Sequence, residues 1–249
     1  MQHRHVQKGH SSQVVFYGKH AVFAALKNKQ RKILKVVISP ENETEFKREF
    51  VNIPYQVGQK KEIEKLVGQN AVHQGYILIT CPLESMLLED LIEKTSHIEK
   101  CHVLILDQVT DPQNVGAIIR SAAAFNVTAI IVQDKNTPQE SGAMAKASAG
   151  TIEFVPIVRV TNLTRAIEQL KKAGFWIVGM DGYATQKIDE VDKNSKLAVI
   201  MGSEGAGMRR LVEESCDIRV RLDINERVES LNVSTAAAIV LYELDKKLV

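Results

Sequence analysis

Residues 102–132 read HVLILDQVTDPQNVGAIIRSAAAFNVTAIIV. The mostly apolar run HVLIL (102–106) predicts a buried strand, and TAIIV (128–132) predicts a second. Between them a polar loop through Asp111-Pro112 leads into a helix over 115–125, with Asn114 at its N-cap. Strand, helix and strand within so few residues make a βαβ unit, which implies parallel strands covered on both faces.

The alternation continues downstream. A small-residue helix over Gly142–Ala149 precedes the strand FVPIVRV (154–160), the helix LTRAIEQLKKAG (163–174) and the strand FWIVGM (175–180), Gly174 standing where helices stop. LAVIMG (197–202) then enters a glycine-rich turn, MRRLVEES (208–215) is helical, DIRVRLDI (217–224) is a strand, and STAAAIVLYELDKKL (234–248) is a long terminal helix. Upstream, Gly18 precedes the helix HAVFAALKN (20–28), with Val22, Ala25 and Leu26 at helical spacing. Then come the strand ILKVVIS (33–39), a charged helix over 41–52, a short strand IPYQV (53–57), the helix KKEIEKLVGQ (60–69) and a strand ending AVHQGYILIT (71–80). The expected organisation is a tail over 1–12, a small α/β domain over 13–80, a helical linker over 81–99 and a larger α/β domain over 100–249.

At 249 residues, 45% hydrophobic and 25% charged, the chain has ample material for two cores. A net charge of +2 neither demands nor excludes a nucleic-acid partner. Cys81, Cys101 and Cys216 are widely spaced and odd in number, which excludes a disulfide framework or a zinc site and fits a reducing cytosol. No apolar run reaches the ~18 residues of a membrane span, and MQHRHVQKGHSS lacks the apolar core of a signal peptide, so a soluble cytoplasmic protein is expected. HRHVQKGH reads as a solvated tail, a metal-binding tract or an RNA-touching arm, of which the first is the simplest.

Three segments carry candidate chemistry. In the first, the loop after HVLIL stands at the carboxyl end of a strand, where ligands of open α/β sheets gather. Asn114 reads there as a helix cap or as a ligand-orienting amide. Arg120, alone among small and apolar residues, lies about 9 Å along the helix from Asn114 and is rotated about 240° from it. The second segment, VIMGSEGAGMRR, packs Gly202, Gly205 and Gly207 between a strand and a helix, a turn suited to close main-chain approach. Its G-x-x-G-x-G spacing is not the dinucleotide fingerprint and it has no Walker lysine, which sets aside a nicotinamide enzyme or a kinase. Glu204 within it reads as a hydroxyl ligand or as a partner of the helix dipole. In the third, Glu229, Ser230 and Asn232 precede an alanine-rich helix that Ser234 or Thr235 would cap.

Taken together and in order, N-x-G-A-I-x-R (114–120), M-G-S-E-G-x-G (201–207) and E-S-L-N-V-S (229–234) resemble the SpoU (TrmH) class of the SPOUT methyltransferase superfamily. The resemblance covers about 102–249, and YGKHAVFAAL and HQGYILI are similar to the ribosomal-protein-like RNA-binding domain of its RlmB-type branch. It implies a C-terminal trefoil knot, which default topology rules would exclude. It also implies a homodimer with active sites near the interface, S-adenosylmethionine as cofactor, no metal, and RNA as substrate. The reaction would be 2'-O-methylation of a ribose, most directly of a guanosine in 23S rRNA. A tRNA methyltransferase, or a non-catalytic RNA-binding ribosome-assembly factor on the same fold, is the alternative. Ile200, Met201, Gly202, Gly207, Leu222 and Leu231 would hold the cofactor, largely through main-chain atoms. Asn114, Arg120, Glu204, Ser230 and Asn232 would surround the ribose. A guanidinium, with a pKa above about 12, resists acting as a base, so Arg120 is expected to stabilise alkoxide charge while Glu204 or a phosphate takes the proton. The sequence departs from that branch at one place: I-P-M-x-G is replaced by Leu222-Asp223-Ile224-Asn225-Glu226-Arg227, without the proline or the glycine.

Overall fold

Val14 and Phe16 are buried and Val15 and Tyr17 half-buried, the alternation of a strand with one covered face; this is β1 (Val14–Tyr17). The structure, a computed structural model, describes residues 13–246. The segment 1–12, read above as a tail, lies outside the described residues, as do the last two residues of the stretch 234–248 read above as a helix. After β1 come α1 (Lys19–Lys27), β2 (Ile33–Ile38), α2 (Glu43–Glu49), β3 (Gln56–Val57), α3 (Lys60–Val67) and β4 (Tyr76–Thr80). The sheet order is β1-β4-β2-β3, with β4 antiparallel to β1 and β2, and β3 parallel to β2. The strand expected over 53–57 shrinks to its last two residues, since Pro54 has no amide for a ladder. Phe16, Phe46, Ile63 and Ile77 are fully buried. Phe23 meets Phe50 and Tyr76 edge-on at 4.9 and 5.3 Å, the favoured geometry for aromatic pairs.

The chain divides into two units: one runs to Leu83 and includes Glu140–Gly142, and the other holds Glu84–Gln139 and everything from Ala143. The second unit begins with α4 (Leu88–Thr95), the helix expected inside the 81–99 linker. Its Leu88 and Leu91 are buried in the core of this unit, so the helix is part of it rather than a free connector. There follow β5 (Cys101–Leu106), α5 (Pro112–Ala124), β6 (Ala129–Gln133), α6 (Gly142–Ala147), β7 (Ile157–Val160), α7 (Leu163–Lys172), β8 (Trp176–Met180), β9 (Gln186–Lys187), β10 (Lys196–Met201), α8 (Arg210–Glu213), β11 (Ile218–Arg221) and α9 (Val233–Asp245).

The seven strands are ordered β7-β6-β5-β10-β8-β11-β9, and every pairing is parallel. All six residues of β5 are buried, as a strand covered on both faces requires. Sequence neighbours are not always sheet neighbours: β10 enters between β5 and β8, pairing Met201 with Leu106. That insertion places the glycine-rich turn beside the loop after β5. No helix among the described residues is long and apolar enough to cross a membrane.

Candidate active site

Asp107 follows the last residue of β5 and is completely buried. Its amide donates to the Met201 carbonyl at 2.9 Å, fastening the ends of β5 and β10 together. Its carboxylate accepts from the Arg209 amide and Nε, both at 2.8 Å, and from Arg209 Nη2 at 2.7 Å. A buried carboxylate needs such a partner set, and here it fixes the far end of the glycine-rich turn. Sequence reasoning passed over Asp107, although an acid directly after a buried strand is a legible signal. Gln108 then takes a φ of 60°, turning the chain sharply away from the strand direction.

The loop enters α5 through Asp111, whose side chain accepts from the Gln113 amide at 3.0 Å, with Pro112 as the first helical residue. Asn114 therefore lies in the first turn and is not the cap expected from the sequence. Its amide is free for a longer reach: Asn232 Nδ2 donates to Asn114 Oδ1 at 3.0 Å across 118 residues of chain. Asn232 is itself the cap of α9, accepting from the Ser234 amide at 2.9 Å and the Ser234 hydroxyl at 2.6 Å. The cap expected at Ser234 or Thr235 is thus moved to Asn232, because Ser234 spends its hydroxyl on that same oxygen. Gly116 lets α5 lie against α6; a Cβ there would stand 2.5 Å from the Met144 carbonyl oxygen.

The first and third motifs so meet at one point. The second is close in the sheet but closes upon itself: Ser203 and Gly207 exchange two main-chain hydrogen bonds, each 3.0 Å. Gly205 and Gly207 have φ of 81° and 67°, and a Cβ on either would meet only open space. At Gly202 a Cβ would instead stand 2.3 Å from the Gly207 carbonyl carbon, so the turn needs glycine there to close. Glu204 projects from the tip and is exposed. Ile200 and Met201 are buried, their side chains spent on the core, which leaves only main-chain atoms for a ligand. Leu222 and Leu231 are half-buried on the adjoining loops.

The divergent stretch 222–227 has a clear local logic. Asp223 turns outward to Lys187 on β9, with Nζ 2.7 Å from Oδ2, and this cation holds its carboxyl below the ordinary value. Asn225 Oδ1 accepts from the Arg227 amide at 3.0 Å, closing the turn that a proline and glycine would otherwise shape. Arg120, Glu204 and Ser230 are exposed, and none is hydrogen-bonded to the asparagine pair. The fold therefore joins Asn114 to Asn232, sets Ile200, Met201, Gly202 and Gly207 at the end of β10, Leu222 directly after β11 and Leu231 directly before the α9 cap, and leaves Arg120 on the open face of α5. No group of three or more potential metal ligands is found among the described residues.

The chain is similar to known proteins along most of its length. The SpoU rRNA Methylase family matches residues 102–242, and the family described as RNA 2'-O ribose methyltransferase substrate binding matches residues 15–86. The 23S rRNA (guanosine-2'-O-)-methyltransferase RlmB of Pseudomonas putida is 37% identical over 236 residues, covering 91% of this chain and 94% of its own. YacO of Bacillus subtilis, named for the TrmH family of tRNA/rRNA methyltransferases, is 37% identical over 240 residues, covering 92% and 94%. Among solved structures, the SpoU methyltransferase AviRb of Streptomyces viridochromogenes, in complex with AdoMet, shares the fold with a TM-score of 0.79 at 22% identity, over 94% of this chain and 89% of that one.

Proposed function

Since the chain belongs to the SpoU rRNA methylase family, we propose that it transfers a methyl group from S-adenosylmethionine to a ribose 2'-hydroxyl of RNA, a guanosine of 23S rRNA. The observation that carries this reading is the 3.0 Å contact between Asn114 and Asn232, which unites the first and third motifs beside the glycine-rich turn. The relatives' names favour rRNA, and the 15–86 match favours a dedicated RNA-holding domain.

The residues at the ends of β10 and β11 fit the cofactor. Positive-φ glycines with open space above them allow close main-chain approach, and Leu222 and Leu231 offer apolar flanks. Gly202, Gly207, Leu222 and Leu231, with the main chain of Ile200 and Met201, would hold it. When bound, the cofactor supplies an electrophilic methyl group on a sulfonium.

The protein must then manage one proton and one developing negative charge. Asn114 and Asn232 fix one another and present their remaining amide groups to the ribose. Arg120, permanently cationic, stabilises alkoxide character on the 2'-oxygen without itself giving up a proton. Glu204 takes the hydroxyl proton, and Ser230 hydrogen-bonds the ribose. Arg120 has no acidic partner among the described residues, and its place on α5 suits a site completed by a second copy. In keeping with a homodimer, α9 exposes Ile239 and Tyr242 three residues apart on one face. The trefoil knot belongs to the same reading: α9 leaves β11, three sheet positions from β5, and returns to hydrogen-bond α5.

Mass-spectrometric mapping of ribose methylation in rRNA and tRNA from otherwise identical cytoplasmic extracts, with and without the gene, tests the proposal. One 2'-O-methylguanosine missing from 23S rRNA is expected. A missing tRNA methyl group moves the substrate to tRNA, and unchanged methylation in both overturns the enzymatic reading in favour of a non-catalytic RNA-binding factor.

A further inference from the structure

A concavity lies in the methylase unit, lined by neither member of the asparagine pair. It is a cleft of about 280 Å³ at the carboxyl ends of β6 and β7, walled by the start of α7 and the start of α8. That volume falls below the ~300–1,000 Å³ typical of pockets enclosing a drug-sized ligand, so it suits a group smaller than a whole cofactor. Its lining includes two arginines, Arg209 and Arg210, and no acidic residue.

Arg209 is held by the buried Asp107 through Nε and Nη2, which leaves Nη1 as the outward donor of a guanidinium that cannot swing away. Arg210 pairs with Glu214 at 2.7 Å on an open surface, a solvent-screened contact readily exchanged for a better anion. Across the cleft, Gln133 is already committed, donating to the Thr161 carbonyl at 3.1 Å and accepting from Asn136 at 2.9 Å. The Asn162 side-chain oxygen is likewise taken, by the Arg165 amide at 3.1 Å. What remains is dominated by donors: two guanidinium groups, the Thr164 hydroxyl and the first-turn amides of α7. Leu211, 56% exposed, adds an apolar rim beside them.

We propose that this cleft binds a phosphodiester group of the substrate RNA, outside the reacting ribose, with Arg209 and Arg210 on the phosphate and Leu211 against the adjoining sugar or base. The inference rests on the reading of RNA as substrate. A guanidinium already held in place is suited to a phosphate because little side-chain freedom is lost when its remaining N–H groups bind an oxygen. Such contacts fix the register of an RNA strand without reading its sequence.

Filter binding of the full-length protein to an unmodified 23S rRNA transcript, measured across a salt series, tests the cleft. Arg210→Gln and Thr164→Glu are compared with Lys172→Gln, a charge removed from the far end of α7. Titration calorimetry with S-adenosylmethionine runs alongside for each variant. The expected result is about 5–10-fold weaker RNA binding for each cleft variant, and for Arg210→Gln a salt slope smaller by about 1. Cofactor affinity should not change. Cleft variants that match Lys172→Gln overturn the proposal, and so does a fall in cofactor affinity, which would assign the cleft to the cofactor. Failure of the wild type to bind the transcript overturns it together with the RNA reading. An altered slope without methyl transfer to the transcript leaves the cleft standing and counts against the proposed reaction alone.

Discussion

Asn232 accepts from Ser234 and donates to Asn114 with the same side chain, so its two roles can be separated by chemistry. Asn232→Ala removes both and should cost about 1 kcal/mol as a lost helix cap, a fall in Tm of roughly 2–4 °C for a chain of this size. Asn232→Asp keeps the capping acceptor and should recover that stability. It also sets a negative charge where alkoxide character is to develop, so methyl transfer should stay at least about 100-fold down. Differential scanning fluorimetry beside a radiolabelled-methyl assay distinguishes the two; a fully active Asp variant would reduce Asn232 to a cap. Arg120 sharpens the same distinction between residue and surroundings. Its isolation in an apolar helix and its rotation away from Asn114 were both legible in the sequence, whereas its exposure on α5 is seen only in the structure.

The glycine-rich turn shows how one element depends on a single missing atom. Gly202→Ala would drive a Cβ into the Gly207 main chain, which cannot move without breaking the paired Ser203–Gly207 hydrogen bonds. S-adenosylmethionine affinity by calorimetry should fall about 10-fold or more, since leaving one main-chain hydrogen-bonding group unsatisfied costs about 1–3 kcal/mol and about 1.4 kcal/mol is tenfold. Gly205→Ala meets no atom and should cost only about 1–2 kcal/mol of stability for its positive φ; equal loss of binding in both variants would refute the steric account. β5 carries a different liability at its start. His102 is buried, and its pKa is lowered from 6.5 chiefly by burial and then by the charge of Lys100, against opposing effects of the Lys193 backbone and Asp245. The unfolded chain therefore binds the proton more readily than the folded one. The stabilisation is present above about pH 6.5 and is lost as pH falls from there through the lower folded value. Urea midpoints at about pH 7.5 and about pH 5.5 should differ more for the wild type than for His102→Gln, and parallel shifts would clear His102 of the effect.

At the scale of the molecule, the all-parallel sheet brings three sequence-distant loops to one edge, and the α5–α9 face is left with exposed apolar side chains. Ile239 and Tyr242 are 42% and 56% exposed, and Tyr242 touches Phe125 edge-on with ring centroids 5.9 Å apart. If this face is the dimer contact, Ile239→Glu with Tyr242→Glu should convert a dimer of 27.7 kDa chains into monomers by sedimentation velocity. Methyl transfer should fall with dimer content as the protein is diluted. A double variant that still sediments as a dimer moves the interface elsewhere, and a wild type that sediments as a monomer overturns the homodimer proposal.

Much of this protein was determined by local sequence alone. Period-2 and period-3.6 patterning marked most elements, and the order of N-x-G-A-I-x-R, M-G-S-E-G-x-G and E-S-L-N-V-S marked the candidate site, because turn and ligand chemistry are written in contiguous residues. Tertiary structure alone decided the rest. Insertion of β10 between β5 and β8 set Asp107 against Arg209, 102 residues away, and the return of α9 to α5 paired Asn232 with Asn114. Local propensity cannot see either event. The two misplaced caps are a different case: Asp111 and Asn232 each accept from an amide only two residues on, and Asp111-Pro112 is a local start signal that the reading of Asn114 as the cap overlooked.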